Sequence, residues 1–345
     1  FGMSTIYAEA TLAQQYKVKK DGEVTGGPVY YIRAAFKGTF GEALAAIFAI
    51  LIVLALGFTG NMVQSNSIGA AFSEVFSARN IEIPSIVFGL ILAAVIGFIF
   101  LGGVNRLASV VEKIVPIMAG IYIVGSLVLI LMNITALPEA IKMIFVGAFN
   151  PEAVVGAGAG IAVREAIRFG VARGLFSNEA GMGSTPHAHA RAKVENPHKQ
   201  GLAAMISVFI DTFIILNLTV FSILTTGVLD SGKEGTALTQ AAFTKGFGNF
   251  GDIFVAVCLL FFAFSTILGW HFFGEVNVKY LFGEKAAKFY SILVIGFVIV
   301  GSTLKVQLVW SLSDFFNGLM VIPNAIALWA LSGIVVKICK QYGKK

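Results

Sequence analysis

Runs of about 20 apolar residues recur along this chain, and that recurrence removes most folds from consideration. A helix of that length crosses the roughly 30 Å hydrocarbon core of a bilayer. Hydrocarbon offers no hydrogen bonds, so a spanning segment must satisfy its backbone internally, as a helix does. Eight or nine such runs can be marked off in the 345 residues, which leaves little room for a soluble domain. With 57% hydrophobic residues, 13% charged residues and a mean hydropathy of +0.84, the chain reads as an all-α polytopic membrane protein embedded in a lipid bilayer. The net charge of +6 does not point to nucleic acid. Its basic residues sit in short loops between spans, where they set orientation by the positive-inside rule. Cys258 and Cys339 form no CxxC pair or metal spacing. Neither a phosphate-binding loop nor a hydrolase or metalloprotease signature is present, so no enzymatic chemistry has a visible carrier.

In chain order, residues 1–16 read as the end of a span that runs into a basic loop, and the chain is expected to lack spans at its N-terminus. Within the loop, GGPVYYI (residues 26–32) combines turn formers with interfacial tyrosines. Residues 41–76 are too long for one untilted span. Further spans are expected at 84–103, 114–134, 201–229, 252–281 and 290–304. An amphipathic surface stretch is expected at 136–151, a short outer helix within 230–250, an interfacial helix at 307–317 and a last span at 318–338. Every strongly basic loop then falls on one face.

Three intramembrane clusters carry polar chemistry. In FGVARGLFSNEAGMGS (residues 169–184), an arginine, a glutamate, an asparagine, two serines and four glycines interrupt apolar sequence. The helix is expected to break between Gly170 and Ser177, where freed amides and carbonyls supply ion sites. Arg173 and Glu179 read as structural pairs or gate charges. Asn178 reads equally as a ligand or a cap, and Phe169 and Phe176 equally as packing residues or as a lid on a small substrate. In GNMVQSNSIG (residues 60–69), Gly57, Gly60, Gln64, Ser67 and Ala71 share one helical face. That face suits close helix packing, while Gln64 carries donors and an acceptor at the depth a polar solute would need them. In FSTILGWHFFGE (residues 264–275), Ser265 and Thr266 offer neighbouring hydroxyls one turn before Trp270. Such hydroxyls either bond back to their own helix or join an oxygen shell for a monovalent cation. His271 and Glu275 read as a solvated pair, and Asp211 as an intramembrane carboxylate in need of a partner.

FGVARGLFSNEAGMGSTPHAHA, with NPHKQGL (residues 196–202) and FIDT (residues 209–212), strongly resembles the alanine or glycine:cation symporter family, also called sodium:alanine symporters. GGPVYYI, YAEATLAQQY and NMVQSNSI extend the resemblance over essentially the whole chain. It implies a LeuT-like core of the amino acid–polyamine–organocation superfamily, with ten helices in two inverted five-helix repeats and discontinuous first and sixth core helices around a midplane site. In that frame residues 1–345 form a single transmembrane domain, 1–135 holding core helices two to five and 150–345 core helices six to ten. The first core helix and an extra N-terminal span are expected to be missing. The implied substrate-binding residues are Gln64, Phe169, Gly170, Phe176 and Trp270, and the implied sodium ligands are Ser265 and Thr266. The implied function is sodium-coupled symport of alanine or glycine by alternating access, in a multi-pass protein of the prokaryotic plasma membrane. A proton-coupled symporter and a passive facilitator or channel for small polar solutes are the alternatives.

Overall fold

The computed structural model describes residues 1–20, 22–100, 102–149 and 159–343. Helices dominate: α1 (Gly2–Gln15), α2 (Pro28–Ala35), α3 (Thr39–Ile52), α4 (Asn61–Ser77), α5 (Ser85–Phe100), α6 (Gly103–Met132), α7 (Leu137–Phe149) and α8 (Ala159–Asn178) come first. They are followed by α9 (Pro186–Arg191), α10 (Pro197–Phe209), α11 (Leu216–Thr226), α12 (Gly235–Phe247), α13 (Gly251–Phe282), α14 (Glu284–Gly301) and α15 (Val306–Tyr342). Five stretches among the described residues are long and apolar enough to cross a membrane: Thr39–Ser77, Ser109–Met132, Pro197–Thr226, Gly235–Phe282 and Val306–Tyr342. Ser85–Phe100 is a shorter apolar helix. Among the described residues these are fewer than the eight or nine runs marked in the sequence.

The long 41–76 segment is one helical rod in which α3 and α4 are joined by a π-helical stretch, Val53–Gly60. Widened turns of this kind free carbonyls for side chains, and here the Thr59 hydroxyl donates to the carbonyls of Leu54 and Ala55. The basic loop after α1 holds a small antiparallel ribbon, β1 (Val18–Lys20) paired with β2 (Glu23–Thr25). GGPVYYI is the start of a helix, because Pro28 occupies the first turn of α2, where its missing N–H costs nothing. The amphipathic stretch near 136–151 forms α7, although residues 150 and 151 lie outside the described residues. The expected interfacial helix and final span are a single helix, α15, with Pro323 in its interior.

Helix faces sort by partner. On α6, Ile117, Val124 and Leu131 recur every seventh residue and each is more than 60% exposed, while Met118, Tyr122 and Leu129 on the opposite face are buried. The main core lies where α3, the π-helical stretch, α13, α14 and α15 meet, around Phe48, Leu56, Leu268, Trp270, Val294 and Met320. Helix α1 packs along α10, α4 along α13 and α5 along α14. A buried amide ties the α4 contact to the end of α14: Asn66 Nδ2 donates to the carbonyls of Gly301 (2.9 Å) and Leu304 (2.8 Å). These carbonyls lie at and just beyond the C-terminus of α14, where intrahelical donors run out. Replacing Asn66 by Ala should therefore destabilise the protein by about 1–2 kcal/mol. A thermal or denaturant midpoint in detergent indistinguishable from wild type would exclude that role.

Candidate functional site: an interrupted helix clamped by buried carboxylates

Helix α8 runs unbroken through Gly170 and Gly174 to Asn178, so the interruption is not at 170–177 as expected. It lies at residues 179–185, between α8 and α9. The backbone shows why. Gly181 (φ 93°) and Gly183 (φ 80°) adopt left-handed conformations that a Cβ would resist, and Glu179 (φ 54°) does so despite its side chain. Gly170 and Gly174 are ordinary helical residues with open space beside their Cα atoms. Asn178 is the last residue of α8 and does not cap the helix that follows, whose N-cap is Thr185; its Oδ1 accepts the amide of Ala180 at 3.0 Å and its Nδ2 donates to the Thr212 hydroxyl at 3.3 Å.

The freed amides are taken by a carboxylate. Glu9, projecting from α1, is 0% exposed. Its Oε2 accepts the Gly181 amide and its Oε1 the Gly183 amide, each at 2.8 Å. Oε1 also accepts Asn324 Nδ2 from α15 at 2.6 Å. Asn324 Nδ2 donates in addition to the Gly181 carbonyl (2.9 Å), and Asn324 Oδ1 accepts from the Tyr31 hydroxyl (2.5 Å). Three N–H donors converge on Glu9, whose two carboxyl oxygens both act as acceptors.

A second carboxylate faces the other way. Glu179 Oε1 accepts the indole N–H of Trp270 at 2.7 Å, and its Oε2 accepts the Ser184 hydroxyl. Trp270, on α13, is 2% exposed. Phe176 meets its ring edge-on at 5.2 Å and also packs against Trp310 on α15 at 4.8 Å. The Arg173 guanidinium sits 4.0 Å over the Trp310 ring and pairs with Asp314 at 2.5 Å, the partner expected for an intramembrane charge. Beside this stack a cavity of about 450 Å³ opens between α8 and α15, bordered by Leu175, Phe176, Met182, Asp314, Asn317 and Val321.

The remaining sequence candidates fall into two groups. Trp270 and Phe176 are brought together at the interruption. Gln64 is half-buried on α4, one turn beyond Gly60, whose Cα abuts the Trp270 ring. Phe169 and Gly170 are not brought in: both are exposed on α8, Phe169 by 49%, with Arg168 over its ring at 5.3 Å. Ser265 and Thr266 both donate to the Phe262 carbonyl, at 2.9 and 2.8 Å, bonding back to their own helix while leaving their oxygens able to accept. Asp211 finds its partner in the Ser177 hydroxyl, at 2.8 and 2.9 Å. His271 is not solvated as expected; it is 2% exposed, stacked on Phe100 and bonded to Ser291. Glu9, Tyr31 and Asn324 were missed in the sequence. A carboxylate in the apolar YAEATLA stretch was the available signal.

On the basic-loop side of the interruption His187 is buried on α9, bonded through Nδ1 to the Ser184 carbonyl (2.6 Å) and through Nε2 to Asn277 Nδ2 (2.8 Å). An amide nitrogen only donates, so Nε2 accepts and the network assigns the proton to Nδ1. Burial pushes the pKa of His187 from 6.5 down to about 4. His189 is likewise pushed down to about 4 by burial.

Two outcomes are expected. In Glu9→Gln an amide NH₂ must replace an oxygen that faces an N–H donor, so stability should fall by about 2–4 kcal/mol in chemical denaturation; an unchanged midpoint would show that the clamp is idle. The two histidines are protonated more readily in the unfolded chain than in the folded one, so their contribution is complete above pH 6.5 and is lost as pH falls toward 4. Thermal midpoints between pH 7 and 4.5 should decline with acid, and less steeply in His187→Gln.

A family model described as the sodium:alanine symporter family matches residues 1–345. The amino-acid carrier protein AlsT of Bacillus subtilis is 41% identical over 345 residues, covering 100% of this chain and 71% of that protein. The probable sodium/glutamine symporter GlnT of Bacillus subtilis is 40% identical, over 100% of this chain and 70% of its own length. The sodium/alanine symporter AgcS of Methanococcus maripaludis is 38% identical, over 100% of this chain and 75% of its own. These relatives are carriers rather than enzymes, and the chain, a multi-pass membrane protein by its apolar helices, belongs to the sodium:alanine symporter family.

Proposed function

We propose that this transporter uses a sodium gradient to carry a small neutral amino acid, alanine or glycine, across a prokaryotic plasma membrane by alternating access. The observation that carries the reading is the helix interruption at 179–185, packed among apolar helices, with its backbone bound by side chains from α1 and α15 and its Glu179 carboxylate bound by Trp270 of α13. Irregular backbone at membrane depth persists only where protein or a polar cavity covers it, and discontinuous helices of this kind hold substrates and ions in secondary transporters. Pairing of α1 with α10, α4 with α13 and α5 with α14 supports two related halves, 1–135 and 150–345, in a LeuT-like arrangement.

Because Glu9 occupies the amides of Gly181 and Gly183, the interruption has little left for a substrate carboxylate. The C-terminal end of α8, with the negative pole of its dipole, suits the ammonium end or a cation. Gln64 supplies an amide for the carboxylate end. Trp270 and Phe176 limit side-chain size, while Phe169 and Gly170 lie outside this pocket on the exposed face of α8. Sodium, as co-substrate, is assigned to the hydroxyl oxygens of Ser265 and Thr266, one turn before Trp270.

Labelled alanine uptake into proteoliposomes, with sodium and proton gradients imposed separately, tests the reading. Concentrative uptake driven by sodium alone is expected, with loss in Gln64→Ala and in the Ser265→Ala/Thr266→Ala double variant. Uptake that only equilibrates would replace the symporter with a facilitator, and drive by the proton gradient alone would remove the sodium assignment.

A further inference from the structure

We infer that Glu179 is the positioning residue for Trp270, holding the indole that walls the proposed substrate pocket; the inference rests on that reading of the pocket. Among the described residues only Asn80 and Glu179 are non-glycine residues with positive φ. Asparagine visits the left-handed region readily, whereas a glutamate there carries a conformational cost of about 1 kcal/mol or more. Two of the next four positions in the same interruption, Gly181 and Gly183, are glycines that take positive φ without a side chain. A glutamate at position 179 therefore holds a strained conformation for the sake of its side chain.

That side chain ends on the indole. A tryptophan N–H buried to this degree requires an acceptor, and Glu179 Oε1 supplies it at 2.7 Å. The ring has no freedom elsewhere. A Cβ on Gly60 would come within 2.6 Å of the ring, so the α3–α4 rod abuts the indole directly, and Phe176 meets it in a T-shaped contact. The Ser184 hydroxyl holds the second carboxylate oxygen, which sets the direction of the first. Glu9 is committed to the backbone amides and Asp211 to Ser177, so neither competes for the indole. Glu179 thereby joins α13 to the interruption at the point where α8, α13 and the α3–α4 rod converge, and the orientation of Trp270 follows the conformation of residues 179–184.

Two measurements decide this. In a W310F/W329F background Trp270 is the sole tryptophan, and its emission and acrylamide quenching report its burial without any transport step. Quenching should rise and emission shift to the red in E179A, and both should return to parent values in E179Q, whose amide oxygen still accepts from the indole while its NH₂ donates to Ser184. E179A emission equal to the parent, or E179Q as exposed as E179A, overturns the inference. In proteoliposomes with wild-type tryptophans, E179A should raise the KM for labelled alanine about tenfold, the equivalent of one buried hydrogen bond, and admit leucine as a competitor. E179Q should restore both the KM and the exclusion of leucine. E179A with wild-type KM and selectivity overturns the inference, whereas absence of any alanine uptake by wild type removes the transport reading and leaves the fluorescence result standing.

Discussion

The carboxylate of Glu9 and the unwound backbone at Gly181 and Gly183 are each untenable alone in an apolar interior, and each resolves the other. A buried ionised carboxylate without donors costs several kcal/mol, roughly, and so does each unpaired amide. Here two amides and one side-chain amide converge on two oxygens, all in a shell from which water is excluded. The same knot draws in Asn324 and Tyr31, so α1, α2, α15 and the segment between α8 and α9 are held by one network. Members of such a network lose more than their own bond when one is removed, because the others are left buried and unpaired. The interruption is thus a stable structural element rather than a frayed helix end.

Around that knot the helices approach closely where side chains are smallest. Gly60 lets the α3–α4 rod lie against Trp270, and the rod is itself widened into a π-helix just before that contact. In lipid, where apolar surfaces gain little from burial against each other, such close packing and buried hydrogen bonds supply much of the cohesion. The two glutamates divide the labour. Glu9 immobilises the backbone of the interruption, while Glu179 passes its position to a ring on α13.

Much of the architecture was legible because membrane solvation acts locally. Apolar length marks the spans, basic loops mark one face, and the polar run at 169–184 marks the region of the break. Its position was misread because Gly170 and Gly174 look as capable of breaking a helix as Gly181 and Gly183. Only the second pair is turned into left-handed geometry, by amides that Glu9 collects from 172 and 174 residues away in sequence. The mixed 307–317 stretch, expected as a helix separate from the last span, is continuous with it. Ser313 and Asn317 are buried and Asp314 is paired to Arg173, so the stretch packs as the first turns of one long helix. His271 looked solvated beside Glu275, yet it stacks on Phe100 from another helix.

By itself, then, the sequence determined that this protein lives in a bilayer, how its loops are charged, which family it resembles and where polar groups interrupt hydrocarbon. Each of these follows from composition and short-range spacing, since the cost of exposing a polar group to lipid is incurred residue by residue. Tertiary structure alone decided where the helix opens, which carboxylate binds backbone and which binds the indole, and that Phe176 rather than Phe169 meets Trp270. Those outcomes depend on contacts between segments 91 to 315 residues apart, and a hydrogen bond across such a separation leaves no periodicity in the chain that makes it.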